Sequence, residues 1–176
     1  LVSQVASGSS ADALLQTAQA LVSVGMHEEA GYKRNLQLIA MAHDGLNLSV
    51  DSATKLAVVV ERQLKGNFES VINVIATVVD QTSLAADEAA RLGQSLAETM
   101  SLLRPGGAAD LPGVIQAFSS YESALKEVTG HVGGIEKLIE HMATPEGLTS
   151  MGMLGLTPEA LTTAQGADVV MDRFYK

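Results

Sequence analysis

The feature that most constrains the fold is a run of ten apolar residues that recur at alternating intervals of three and four residues between Leu111 and Met142. A repeat of about 3.5 residues is the period of an α-helix that packs along one side against other helices, whereas a half-buried strand alternates every two residues. The run therefore predicts one long helix over residues 110–142. The ten positions are Leu111, Val114, Phe118, Tyr121, Leu125, Val128, Val132, Ile135, Ile139 and Met142.

Residues at the ends and in the middle of this run refine the prediction. Pro112 suits a first helical turn, where its missing N–H costs no hydrogen bond, and Thr144-Pro145 suits the end because a residue before proline avoids the helical conformation. Gly130, Gly133 and Gly134 lie inside the predicted helix. Because a glycine in a helix costs up to about 1 kcal/mol relative to alanine, they indicate a kink or a place where another backbone comes close.

A second apolar repeat runs from Val50 to Val78 and predicts a helix over residues 50–80. Eight of its nine positions are apolar, and the ninth is Asn67. Two interpretations of Asn67 remain open. A buried asparagine in such a seam sets the register or the oligomeric state of the helices, which would make Asn67 a register-setting residue. Alternatively, Lys65-Gly66-Asn67 is a break between two helices.

The remaining repeats predict three more helical regions. Residues 10–44 form either one long kinked helix or two shorter ones, because Gly25 interrupts their apolar repeat. Residues 84–103 form one helix, and residues 158–174 form a shorter one that opens with Thr157-Pro-Glu.

Together these helices predict an all-α fold, an up-and-down bundle of four long helices plus a shorter C-terminal helix. A chain of 176 residues has the length of one domain, so residues 1–176 are expected to form a single helical-bundle domain. Residues 1–9 are expected to be a flexible N-terminal segment. Residues 144–157 are expected to be a loop before the last helix.

Composition narrows the classes of function. With 20 acidic and 11 basic residues and no tryptophan, the chain lacks the basic face and the stacking aromatics that nucleic-acid binding needs, so no nucleic-acid partner is expected. It has no cysteine, which excludes disulfides, thiolate metal sites and cysteine nucleophiles. No apolar run approaches the roughly 18 residues of a membrane span, so no transmembrane segment is expected in this chain.

No spacing of polar residues indicates catalysis. Glu127 and His131 share a helix face, but the Glu-x-x-His motifs of di-iron bundles are missing from the sequence. The acidic pair Asp87-Glu88 fits the first turn of a helix, where carboxylates are favoured. The sequence therefore predicts no catalytic residue, no metal site and no cofactor.

The candidate contact site is Ser150–Leu156, an apolar stretch without charged residues between two Thr-Pro-Glu segments. Because each Thr-Pro-Glu is typical of a helix start, the stretch between them is expected to be a mobile loop. Met151, Met153 and Leu154 are its large side chains, and methionine is common on adaptable contact surfaces, so partner binding is assigned to these three residues. The alternative is that the loop folds back and closes one end of the core.

Bundles of long helices without a catalytic constellation usually act through their surface. We therefore expect a non-enzymatic interaction or sensor module that works by protein–protein contact, with a protein partner and with a homo-oligomer left open. The alternative is a carrier that binds a lipid or another apolar ligand in the bundle core, because the predicted core is rich in alanine and valine. Among locations, an extracytoplasmic or secreted one is favoured.

Overall fold

Every regular element is helical in the computed structural model, which describes residues 9–28, 30–103 and 110–175. The predicted all-α class is therefore confirmed, and the buried apolar side chains of the described residues form one cluster. The predicted segment 1–9 lies, apart from Ser9, outside the described residues. The α-helices of the described part are α1 (Ala11–Ser23), α2 (Tyr32–Leu46), α3 (Val50–Val58), α4 (Phe68–Gln81), α5 (Ala86–Leu103), α6 (Leu111–Thr129), α7 (Gly134–Met142), α8 (Pro145–Met153) and α9 (Ala164–Tyr175).

Helix α5 lies at the centre of the molecule and packs against α3, α4, α6 and α7. It can contact so many neighbours because many of its buried residues are small, among them Ala89, Ala90 and Ala97. At Gly93, side chains of two neighbouring helices come close to the backbone of α5. A Cβ built there would lie 3.2 Å from Cδ1 of Ile115 on α6 and 3.7 Å from Cδ1 of Leu56 on α3. The predicted helix over residues 84–103 thus agrees with α5.

The region 10–44 forms two helices, which decides the alternative that the sequence left open. Helix α1 ends before Gly25, whose φ of +73° is a left-handed conformation that glycine adopts without strain. A short 3₁₀ turn, Met26–Glu28, follows. The Arg62 guanidinium holds this connection in place by donating hydrogen bonds of 2.9 Å to the carbonyl oxygens of Val24 and Gly25.

The region 50–80 is also two helices, not the single helix predicted. Helix α3 widens into a π-helical turn, Val59–Gln63, and the chain then breaks before α4. Asn67 is exposed, and its side-chain oxygen accepts the N–H of Ser70, so it caps the N-terminus of α4. Asn67 therefore does not lie in a buried seam, and the interpretation of Asn67 as a register-setting residue disagrees with the structure. The alternative, a break between two helices at Lys65-Gly66-Asn67, agrees with it.

The region 110–142 is divided as well, at the glycines that the sequence analysis singled out. Gly130 and Gly133 have φ of +73° and +93°, and the chain turns back between α6 and α7. The ends of the apolar repeat are buried, but its middle is not, and Val128 is 86% exposed. The prediction of one continuous helix here is wrong because two left-handed glycines allow the chain to reverse.

The prediction of a loop over residues 144–157 is wrong for residues 145–153, which form α8, and holds only for residues 154–157. The first Thr-Pro-Glu segment begins α8, where the Thr144 hydroxyl accepts the N–H of Gly147 at 3.1 Å. The second begins a short 3₁₀ helix, Pro158–Thr162, and α9 starts only after it. Residues 145–153 are helical because α8 has its own N-cap, Thr144, and its own left-handed glycine, Gly155, after the last turn.

Candidate interaction surface

The C-terminal end of α8 is fixed by backbone hydrogen bonds. Gly155 has a φ of +72° and donates its N–H to the carbonyl of Gly152 at 3.1 Å, and Leu156 donates to the carbonyl of Met151 at 2.9 Å. This pair of bonds is the Schellman motif, in which a left-handed glycine ends a helix and satisfies its last carbonyls. The stretch expected to be a loop is therefore a helix end with a defined conformation.

This helix end separates the three residues to which partner binding was assigned. Met151 is completely buried and lies beside Leu156, which is also buried; such an apolar pair commonly accompanies the Schellman motif. Met153 is 83% exposed and Leu154 is 39% exposed. Met151 thus belongs to the core, whereas Met153 and Leu154 form an outward apolar projection that we call the Met153–Leu154 tip.

Helix α8 is seated directly on the end of α7. Gly147 is buried, and a Cβ built on it would overlap the carbonyl oxygen of His141 and lie 2.7 Å from Cα of Met142. The same arrangement recurs before α9, where the Thr163 hydroxyl accepts the N–H of Gly166 and a Cβ on Gly166 would overlap the carbonyl oxygen of Ala160. The Gly147 contact fixes how α8, which carries the tip, is placed on α7.

A polar cluster that the sequence did not predict joins α5 to α6. The Lys126 ammonium donates to a carboxylate oxygen of Glu88 at 2.7 Å and to the carbonyl oxygen of Ser83 at 2.9 Å. The same Glu88 oxygen accepts the N–H of Ala85 at 2.8 Å, which is one half of a capping box. Burial raises the pKa of Glu88, but the hydrogen bonds from Lys126 and Ala85 and the charges of Lys126 and Arg91 outweigh burial, so its pKa is lower than usual.

Glu122 is a buried carboxylate with a structural use. Its two oxygens accept the N–H groups of Gly133 and Ile135, the latter at 2.7 Å, so it caps the N-terminus of α7 from the middle of α6. One indirect signal for Glu122 is present in the sequence, because Glu122 lies next to Tyr121 of the apolar repeat and precedes a glycine-rich break. Both glutamates, Glu88 and Glu122, hold helices together and neither faces a large cavity.

Two surface grooves of the described part are lined partly by charged residues. One, of about 660 Å³, lies between α6 and α9 and is lined by Tyr121, Val169, Arg173 and the carboxylates of Asp168 and Asp172. A second, of about 340 Å³, lies between α2 and the start of α4, and Arg34, Glu61, Lys65 and Glu69 are among its lining residues.

Among residues 9–28, 30–103 and 110–175, no three His, Asp or Glu residues are grouped so that they could hold a metal ion. No helix in that part of the chain is both long and apolar enough to cross a bilayer. Comparison with known protein families, with curated proteins and with solved structures finds no match to this chain.

Proposed function

We propose that this protein is a non-enzymatic interaction module that binds a protein partner through the Met153–Leu154 tip. The observation that carries the proposal is the helix end of α8, which buries Met151 and leaves Met153 83% exposed two residues later. Exposed large apolar side chains that adjoin each other mark contact surfaces more often than scattered ones do. Met153 and Leu154 are adjoining, exposed apolar residues at a fixed helix end, so they meet this criterion for a contact surface.

The fixed backbone supports binding in a second way. Association costs free energy when it must order mobile side chains and loops, and a surface that is already ordered avoids much of that cost. The Schellman hydrogen bonds at Gly155 and Leu156 hold the tip before any partner arrives. Methionine contributes an unbranched, polarisable side chain that adapts to irregular partner surfaces.

The carrier alternative has less support from the described residues. A pocket for a lipid is lined mainly by apolar side chains. The grooves of about 660 and 340 Å³ are instead lined in large part by Asp, Glu, Lys and Arg. We therefore favour an interaction module that acts through its surface over a carrier that binds an apolar ligand in its core.

Photo-cross-linking tests the proposal. A photoreactive methionine analogue is placed at position 153 alone or at position 41 alone, because Met41 is also exposed (58%) but lies on α2. In an extract of the cells that make the protein, we expect a cross-linked partner of defined mass from position 153 and none from position 41.

The partner identified in this way is then purified and its dissociation constant measured. Leu154→Asp places a charge in the proposed contact and is expected to weaken binding by about tenfold or more. Met41→Asp is the control and is expected to leave the dissociation constant unchanged. Equal cross-linking from both positions, or binding that survives Leu154→Asp, would contradict the proposal.

A further inference from the structure

The seven methionines fall into two groups that differ sharply in exposure. Five are buried to within 1% of complete burial, and two are open to solvent, Met153 at 83% and Met41 at 58%. Met151 and Met153 lie in the same turn of α8 but belong to opposite groups. The five buried methionines are Met26, Met100, Met142, Met151 and Met171.

Exposure decides which thioethers a small oxidant can reach. The methionine sulfur attacks one oxygen of hydrogen peroxide: the S–O bond of the sulfoxide forms as the O–O bond breaks, and the other oxygen leaves as water with both protons of the peroxide. The sulfur loses two electrons and the peroxide gains them. Because the reaction needs contact with the sulfur, it is selective for solvent-accessible methionines.

We infer that Met153 is a site of oxidation by peroxides, and that its sulfoxide weakens binding at the Met153–Leu154 tip. The second half of this inference rests on the proposed function. Oxidation converts an apolar side chain into a polar one. At Met153 this change falls on the more exposed of the two tip residues, while Met151, which anchors the helix end, is protected by burial.

The position of Met153 makes oxidation a change of surface and not of fold. Met153 is the last residue of α8. The backbone hydrogen bonds that end the helix run from Gly155 to Gly152 and from Leu156 to Met151. None of these bonds involves the Met153 side chain. We therefore expect the oxidised protein to keep its helical content and its unfolding temperature.

Peptide mass mapping tests the site. The folded protein is treated with dilute hydrogen peroxide, and sulfoxide at Met151 and at Met153 is quantified by fragmentation. Met153 is expected to react at least about tenfold faster than Met151, with Met41 second in rate, and unfolding in denaturant should remove the difference. Equal rates at positions 151 and 153 in the folded protein would overturn the inference.

Retention on a phenyl matrix tests the effect on the surface, with the matrix as the apolar probe. Met41→Leu leaves Met153 as the only exposed methionine, and Met153→Leu leaves Met41. Peroxide should reduce the retention of Met41→Leu more than that of Met153→Leu, and Met153→Gln should imitate the oxidised form. Equal losses in the two variants would contradict a role for Met153.

The two proposals fail in different ways. If Met153 oxidises first but no partner cross-links to position 153, the proposed function is wrong and the oxidation site stands. If a partner cross-links to position 153 but Met153 and Met151 oxidise at equal rates, the oxidation site is wrong and the proposed function stands.

Discussion

Two glycines, Gly147 and Gly166, determine how closely the C-terminal helices pack on the segments before them. Gly147 and Gly166 each occupy the third position of a helix, each donates its N–H to the threonine that caps that helix, and each lies against a carbonyl group six residues earlier. The Thr144-Pro-Glu segment predicts a helix start, but it does not predict that Gly147, the next residue, contacts a backbone carbonyl of α7. That contact depends on where α7 ends.

Gly147→Ala tests this close approach. The added methyl group would lie 2.7 Å from Cα of Met142 and overlap the carbonyl oxygen of His141, so we expect the free energy of unfolding to fall by about 1–3 kcal/mol. Gly152→Ala is the control in the same helix, because a Cβ there meets nothing within 4 Å. It should stabilise the protein by about 0.5–1 kcal/mol. Chemical denaturation measures both, and similar effects of the two variants would argue against the stacking of α8 on α7.

Glu88 gives the protein a pH-dependent contact. Its pKa lies below the ordinary value of 4.5, so its carboxylate stabilises the folded state in full above that value, and this stabilisation is lost as the pH falls through the lowered pKa. Glu88→Gln keeps an oxygen that can accept the N–H of Ala85 but removes the charge opposite Lys126.

We therefore expect Glu88→Gln to lower the free energy of unfolding at about pH 7, and we expect the difference from the unmodified protein to shrink at about pH 3. Urea denaturation at the two pH values measures it. A difference of the same size at both would show that the charge of Glu88 does not stabilise the fold.

At the scale of helices, periodicity identified the buried faces better than it identified the lengths. In the repeat from Leu111 to Met142, the members at both ends are buried although the helix is divided, because α6 and α7 both pack against α5. Spacing in sequence reports which residues face a core; it cannot distinguish one straight helix from two that turn back on the same neighbour. Gly130 and Gly133 indicated where the helix is interrupted. Whether the chain kinks or reverses there depends on their left-handed φ angles, which only the packed structure shows.

The reversal between α6 and α7 depends on Glu122. In a straight helix, Glu122 and Gly133 would be about 16 Å apart, yet the structure joins them by a hydrogen bond. Glu122→Ala leaves the N–H groups of Gly133 and Ile135 without this acceptor, so we expect a loss of about 2–3 kcal/mol.

Glu127→Ala is the matched control, because Glu127 is an exposed glutamate on the same helix. It should change the free energy of unfolding by no more than about 0.5 kcal/mol. Thermal and chemical denaturation compare the two variants, and equal small effects would mean that α7 does not need the carboxylate of Glu122.

At the scale of the whole molecule, four α-helices of the described part pack against α5, and the candidate site lies at the end of α8, which is among the shortest helices. The apolar character of Met151, Met153 and Leu154 was evident from the sequence. Which of them is buried was not, because this depends on the left-handed Gly155 and on the seat of α8 on α7. Of the three residues predicted to bind a partner, the structure buries Met151 and leaves Met153 and Leu154 accessible.

The central claim is that Met153 is exposed for a partner while Met151 belongs to the core. Nuclear magnetic resonance of the methionine methyl groups, with a soluble paramagnetic agent, tests this most directly. The agent broadens signals from exposed methyl groups. In the free protein we expect broadening of Met153 and Met41 and none of Met151. When the partner found by cross-linking is added, Met153 should become protected while Met41 stays broadened. Broadening of Met151 to the same extent as Met153, or a Met153 signal that stays broadened in the complex, would contradict the account.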